Sequence, residues 1–453
     1  MRQERTTELD LLGTYFARLR QRVPCRWQGR VIEATGQTIE SEGPPCSVGE
    51  CCEIRDAAGR VHAAEVIGFC GTGVLSMTLG ASNGIRYGDA VVTLGTTPRV
   101  EVGEGLIGRV MNATGQALDG GRRPVLQEAV ALERMAPAPL EREPIRTALG
   151  TGIRAIDGLL SVGRGQRIGI FGGSGVGKST LIGMMTRNSD ADVIVVGLVG
   201  ERGREVGEFL EEGLGPEGRK RAVVLVSTSD QSALLRMRAA LAATSVAEYF
   251  AGTGQHVLLV LDSLTRFAMA AREVGLAAGE PPTTRGYTPS VFSRLARLVE
   301  RTGCFRAGSI TAFYTVLMEG DDLQDPLVDA VRSYLDGHVV LARARAAEGW
   351  YPPIDVIESI SRLMPLVVSD EHGRAAATIR RVLASWTRSE DLVRIGAYKA
   401  GTDPDIDRAL RFRPAIREYL VQNARERETF GSARQGLLRL AAAIESAGGE
   451  GRL

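Results

Sequence analysis

Between about residues 96 and 385 the chain alternates runs of consecutive apolar residues with stretches of helical apolar period. Runs such as QRIGIF, VIVVGLV and HVLLVLD are apolar almost throughout, as strands covered on both faces are. Strands of that kind, separated by helical patterns, predict βαβ units and a mostly parallel sheet. The part before it has a different texture. From about 25 to 95, short β-prone pieces (GRVIEAT, QTIES, CCEIR, HAAEVIGF, VLSMTLG, AVVTLG) are separated by Gly, Asn, Asp and Pro clusters. That spacing predicts a small antiparallel barrel or sandwich.

Both ends read as helix. Residues 7–20 place Leu9, Leu12, Phe16 and Leu19 at steps of three and four, one apolar stripe of an amphipathic helix. The stripe suits packing on its own domain or docking of another protein, and the pattern leaves both open. Beyond about 386, DIDRALRFRPAIREYLVQNARERE and ARQGLLRLAAAIESA have helical period and lead into a Gly-rich tail. The expected organisation is an N-terminal helix over 1–22, a β-barrel domain over 23–95, an α/β domain over 96–385 and a helical domain over 386–453.

Charge narrows the partners. The 453 residues carry 55 Lys and Arg against 54 Asp and Glu, so no global basic field points to nucleic acid. No 18-residue apolar segment is present to span a membrane, and MRQERTTELDLLG lacks the apolar run of a signal peptide. Six cysteines (Cys25, Cys46, Cys51, Cys52, Cys70, Cys304) contain no C-x-x-C spacing, and there are four histidines, so zinc has little support. Free buried thiols in a reducing, cytoplasmic setting are the expectation.

The chemistry starts at GGSGVGKST, residues 172–180, which follows the strand QRIGIF and opens the helix LIGMM. This is G-x-x-x-x-G-K-[ST] in its proper context. Gly172, Gly173, Ser174, Gly175, Val176 and Gly177 would turn backbone N–H groups around phosphate oxygens at a helix N-terminus. Lys178 would bring its charge to the β and γ phosphates of ATP; Ser179, with Thr180 beside it, would offer a hydroxyl to Mg²⁺. The run HVLLVLD ends in Asp262, an acid at the carboxyl end of a buried parallel strand, where it would hold Mg²⁺ through its water shell.

A second strand ends in charge. In VVGLVGERGREV an apolar run reaches Gly200 and then Glu201 and Arg202 side by side. Because this strand follows the phosphate-loop helix, its tip should lie beside the γ-phosphate. Glu201 could there orient and polarise the attacking water, with Arg202 fixing the local charge. An exposed loop salt bridge is the alternative.

Together GGSGVGKST, VGERGREV, LLVLDSLTRFA, GEPPTTRGYTPSVF and YPPIDVIESISR resemble the type III secretion ATPases, the flagellar and injectisome export ATPases. These are relatives of the catalytic subunits of rotary ATP synthases. IGRVMNATGQALDGG and the N-terminal β segment extend the resemblance over nearly the whole chain. It implies a central P-loop (RecA-like) ATPase domain between a small β-barrel and a C-terminal helical domain, assembled as a homohexameric ring with sites between subunits. It also implies that Glu201 activates water, that Arg362 of S-x-S-R reaches the neighbour's site as a finger, and that Tyr351 matches an adenine-stacking position. Tyr351 packed at a domain edge is the alternative there. A stator-type regulator at the N-terminal helix, a stalk protein in the pore, export substrates and chaperones, and a peripheral place at the inner-membrane export gate belong to the same implication. Thr288 replaces a proline of the family's G-Y-P-P-S-V-F, and Arg285 and Tyr287 would face the pore.

Other functions leave different marks. A noncatalytic ring subunit would lack Glu201. A hexameric RNA translocase needs aromatics over basic residues, and residues 25–95 offer only Trp27, Phe69 and Tyr87. A proton-linked synthase subunit would need membrane partners. TAFYTVLMEGDD followed by QDP leans to the flagellar branch, while SLTRFAMAAREVGLAAGEPP sits nearer the injectisome branch.

Overall fold

The computed structural model describes residues 27–318 and 325–449. The apolar stripe at Leu9–Leu19 lies outside the described residues, as does Cys25. The chain divides into two compact units, one running to Pro98 together with Ala277–Gly279, the other holding the rest.

In the first unit, β1 (Gln28–Thr35), β2 (Thr38–Glu42), β3 (Cys51–Arg55), β4 (Val61–Cys70), β5 (Gly73–Thr78) and β6 (Ala90–Thr93) close into a barrel ordered β1-β2-β5-β4-β3-β6. All neighbours are antiparallel. Alternate residues point inward, so Val31, Ile39, Cys52, Ile54, Val66 and Val91 form one core. Closure leaves no unpaired strand edge. The Cys52 thiol lies in this core, 3.6 Å from Ser76 Oγ, and burial pushes its pKa up to about 12. It is the one buried cysteine among the described residues. Cys70 is exposed and Cys46, Cys51 and Cys304 are half-buried, which corrects the expectation of buried thiols. Trp27, Phe69 and Tyr87 are exposed.

The second unit is built on β7 (Val110–Asn112), β8 (Arg167–Gly172), β9 (Val193–Glu201), β10 (Ala222–Thr228), β11 (His256–Asp262), β12 (Ser309–Leu317), β13 (Gly337–Leu341) and β14 (Ile354–Ser361). Their order is β14-β13-β8-β12-β11-β9-β10-β7. Every neighbouring pair is parallel except β13 with β14. Helices α1 (Lys178–Asn188), α2 (Ala233–Gly252), α3 (Leu264–Ala277) and α4 (Pro289–Glu300) accompany the strands. With helices on the sheet, β9 is buried at eight consecutive positions, which is why its sequence shows no alternation.

Three helices follow: α5 (Asp370–Arg394), α6 (Pro404–Leu420) and α7 (Phe430–Gly449). Ser369 caps α5 through the His372 N–H, and Asp403 caps α6 through the N–H groups of Asp405 and Ile406. Trp386, Ile416 and Leu437 share one core with Ile168 and Ile170 of the sheet. The helix α5 runs unbroken through residue 385, where the sequence texture changes.

Candidate active site

The strand β8 ends at Gly172, and the next residues fold back before α1 begins at Lys178. Gly177 holds the turn with φ +98°, a left-handed backbone that a side chain would strain. Val176 is buried under the loop, while Ser174, Gly175, Ser179 and Thr180 are exposed. Lys178 is 8% exposed, and its Nζ donates to the carbonyls of Gly172 (3.0 Å) and Gly173 (3.2 Å). Burial lowers its pKa, while the nearby charges of Asp262 and Glu201 hold it up.

Asp262, at the end of β11, is buried and accepts a hydrogen bond from Thr315 Oγ1 at 2.5 Å. Burial raises its pKa against the opposing pull of Thr315 and Lys178. Leu198 of β9 stands opposite Asp262, which brings the tip of β9 past that carboxylate. At the tip the register with β10 slips: Val199 pairs with Ser227 and Glu201 with Thr228, leaving Gly200 as the extra residue. Such a bulge redirects the side chain that follows. Glu201 is half-buried; burial, repulsion from Asp262 and a hydrogen bond with Glu205 push its pKa up to about 8. The chain crosses β12 and β11 to place β9, so Glu201 stands three strands from β8 rather than on a neighbouring one. The loop cluster still forms, because Lys178 feels both carboxylates.

Arg202 is not part of this cluster. Its side chain is 74% exposed and pairs with Glu205 at 3.5 Å, the loop salt bridge that the sequence left as an alternative. The local positive charge assigned to Arg202 comes in this structure from Arg266, which opposes the raised pKa of Glu201. Arg266 lies in the first turn of α3, and its Nε is buried with no hydrogen-bond partner among the described residues. An orphaned buried guanidinium nitrogen beside a phosphate loop suits an anionic ligand. The signal was the SLTRFA run just after Asp262.

Gly200 makes room for Arg266. It has φ +71°, and a Cβ there would lie 3.1 to 3.4 Å from the Arg266 side chain. Gly200→Ala is expected to destabilise the fold by about 1–3 kcal/mol through backbone strain and to lower turnover by shifting Arg266 and Glu201. A denaturant titration and an ATPase assay check both, and an unchanged variant would remove the bulge from the account.

The antiparallel strand β14 reaches both sides of the sheet. Its first residue, Ile354, stands opposite Leu341, which stands opposite Gly172. Tyr351, just before it, is half-exposed; its carbonyl accepts from the Gln422 N–H at 2.8 Å. A Cβ on Gly177 would lie 3.9 Å from Pro353 Cδ, so the Tyr351-Pro-Pro turn borders the phosphate loop. At the other end Ser361 pairs with Gly337, and Arg362 N–H donates to the Asp336 carbonyl at 3.0 Å. The eight residues of β14 separate these ends by about 23 Å at roughly 3.3 Å per residue. Arg362 is exposed, has no ion-pair partner among the described residues, and stands on the opposite edge of the sheet from Lys178. Its own phosphate loop is out of reach.

Two residues carried over to a pore behave differently from each other. Arg285 is half-exposed and pairs with Asp325. Tyr287 is 7% exposed, under the Arg272 guanidinium and edge-on to Phe292, so its ring is packed inside the unit rather than presented to a channel. Thr288 is buried at the N-cap of α4 and contacts Ser290 Oγ at 3.2 Å.

Residues 152–361 match the ATP synthase alpha/beta family, nucleotide-binding domain, and residues 368–439 match the T3SS EscN ATPase C-terminal domain. The flagellum-specific ATP synthase of Treponema pallidum is 50% identical over 93% of this chain and 95% of its own length. The type 3 secretion system ATPase of Xanthomonas euvesicatoria is 46% identical over 88% of this chain and 90% of its own. The assembled ATPase EscN from the enteropathogenic E. coli type III secretion system, alone and in complex with its central stalk EscO, is 42% identical. Both structures cover 91% of this chain and 100% of theirs, with TM-scores of 0.87 and 0.84. With the barrel, the parallel sheet and its phosphate loop, and the helical region all in place, the chain belongs to the type III secretion and flagellum-specific ATPase family.

Proposed function

We propose that the chain is the ATP-hydrolysing motor of a bacterial flagellar export apparatus, working as a homohexamer in the cytoplasm at the membrane export gate. The observation that carries this reading is the division of β14: the turn leading into it brings Pro353 against the subunit's own phosphate loop, while Arg362 stands at the far edge. A single chain then holds two half-sites, and a ring joins them.

The residues take the following roles. The backbone from Gly172 to Gly177, with Lys178, Ser179 and Thr180, binds the triphosphate of ATP, and Tyr351 stacks on its base. Lys178 exchanges its two carbonyl partners for phosphate oxygens. Ser179 and Asp262 hold Mg²⁺, which neutralises phosphate charge when bound. Glu201 orients the attacking water, with Arg266 setting the local charge. Arg362 of one subunit stabilises charge on the phosphoryl group held by the next.

Lys178→Ala is expected to lose nucleotide affinity and turnover together, because a contact present in ground and transition states is removed. Equilibrium nucleotide binding and steady-state ATPase measurements on the assembled variant check it; wild-type values for both would overturn the assignment.

The TAFYTVLMEGDD and QDP runs support the flagellar branch. Loss of motility without loss of effector secretion in a strain lacking the gene checks this choice. By analogy with EscN and its stalk EscO, a stalk protein occupies the ring pore. Export substrates and their chaperones engage the ring, which releases and unfolds them. A stator-type regulator binds the stripe at Leu9, Leu12, Phe16 and Leu19. Deleting residues 1–20 should abolish regulator pull-down with little change in Tm; a large drop in Tm would assign the stripe to the core instead.

A further inference from the structure

Gln166 is fully buried in the turn that leads into β8. Its Oε1 accepts from the Gly163 N–H at 2.8 Å, and its Nε2 donates to the Asp336 carbonyl at 3.3 Å and to Ser361 Oγ at 3.1 Å. The neighbours dictate this orientation, since a backbone N–H requires the oxygen and a backbone carbonyl requires the nitrogen. Both amide hydrogens are used on the two residues that frame Arg362. The Asp336 carbonyl is the one that accepts from the Arg362 N–H, and Ser361 immediately precedes Arg362. Ser361 Oγ passes the contact on to the Ser161 carbonyl at 2.8 Å. The Asp336 carboxylate is in turn fixed by the backbone and guanidinium of Arg167, the first residue of β8.

We infer that Gln166 is a positioning residue for Arg362, holding the backbone from which the guanidinium is presented to the neighbouring subunit. The inference rests on the reading of Arg362 as a finger acting between subunits. A buried side chain with every partner satisfied fixes its surroundings more tightly than a surface contact, because each broken bond leaves a buried polar group unpaired. The finger's own side chain has no ion-pair partner among the described residues, so its aim depends on its backbone. An error of about 1 Å in such a group can cost on the order of 10²-fold in rate.

The test uses mixed rings of full-length chains. Gln166→Met keeps the length and buried volume but removes the hydrogen bonds. It is expected to lower kcat roughly 10²-fold with KM for ATP nearly unchanged. Mixed with Lys178→Ala chains it should recover activity, because its intact phosphate loop meets an intact finger. Mixed with Arg362→Ala chains it should recover none, because every finger is then defective. The reverse pattern, recovery with Arg362→Ala and none with Lys178→Ala, would place Gln166 at its own phosphate loop and overturn the inference. Arg362→Ala with Lys178→Ala is the control: its failure removes the finger reading and this inference with it. Recovery in the control with the reversed pattern removes only the role of Gln166. If Gln166→Met does not assemble, Ser361→Ala, which removes one partner at a less buried position, goes through the same two mixtures, and the same patterns decide.

Discussion

Arg362→Ala should abolish nearly all turnover of assembled rings, by about 10³–10⁵-fold as arginine fingers do in related phosphoryl transfer, while leaving nucleotide binding by a single subunit intact. The reason is geometric. Arg362 and Lys178 lie at opposite edges of one sheet, separated along β14 by about 23 Å, too far for one guanidinium to span. Catalysis by Arg362 then requires a second subunit, and specific activity should rise with protein concentration as rings form. Mixing inactive Arg362→Ala with inactive Lys178→Ala should restore part of the activity, since some interfaces pair an intact loop with an intact finger. Mixed rings, verified by native mass spectrometry, that show no recovery at any ratio would return Arg362 to its own subunit or to no role.

Glu201→Gln is expected to bind ATP normally and to turn over about 10²–10⁴-fold more slowly, the usual contribution of a positioned general base. Weakened binding with unchanged single-turnover cleavage would make Glu201 structural. The same variant tests the electrostatics of the cluster. The carboxyl titrates near 4.5 when unperturbed and is pushed up to about 8 in the folded chain by burial, Asp262 and Glu205. Between those values the native state holds a proton that the unfolded chain has released, so this group withdraws stability as pH rises through the window. In nucleotide-free protein the melting temperature of Glu201→Gln should therefore gain on the wild type from about pH 5 to pH 8 and then level off. A difference independent of pH would mean that the carboxylate is solvated rather than crowded against Asp262.

The two chemistries differ in how they were legible. The phosphate loop is a local object. Gly172 to Lys178 form a turn between one strand and one helix, and the spacing of glycines and lysine specifies it without reference to the rest of the chain. Asp262 was legible because a buried strand that ends in an acid presents it at the ligand edge of a parallel sheet. The first unit was legible as a small antiparallel barrel or sandwich from the spacing of its short β-prone pieces, and the pairing of β1 with β6 closes it into a barrel.

Arg202 and Arg266 show where sequence reading stops. Two charges side by side at a strand tip look equivalent, yet the bulge at Gly200 turns Glu201 inward and leaves Arg202 facing solvent. Arg266, more than sixty residues later, enters the cluster only because β11 pairs with β9 and α3 starts beside them. Tyr287 was carried over to a pore, but packing against Arg272 and Phe292 encloses it. Side-chain direction at a bulge and proximity across strands depend on register and strand order, which hydrogen bonds between distant segments set.

By itself the sequence determined the α/β core, a small antiparallel β unit ahead of it and the terminal helical region, because hydrophobic period and turn spacing report how each segment is covered. It also determined the phosphate loop and the presence of Glu201, Asp262 and Arg362. Only the tertiary structure decided that β9 stands three strands from β8, that Arg266 supplies the charge facing Glu201, and that β14 carries Tyr351 and Arg362 to opposite edges. Those facts arise from strand order and antiparallel pairing, and a periodicity read along one chain contains no information about either.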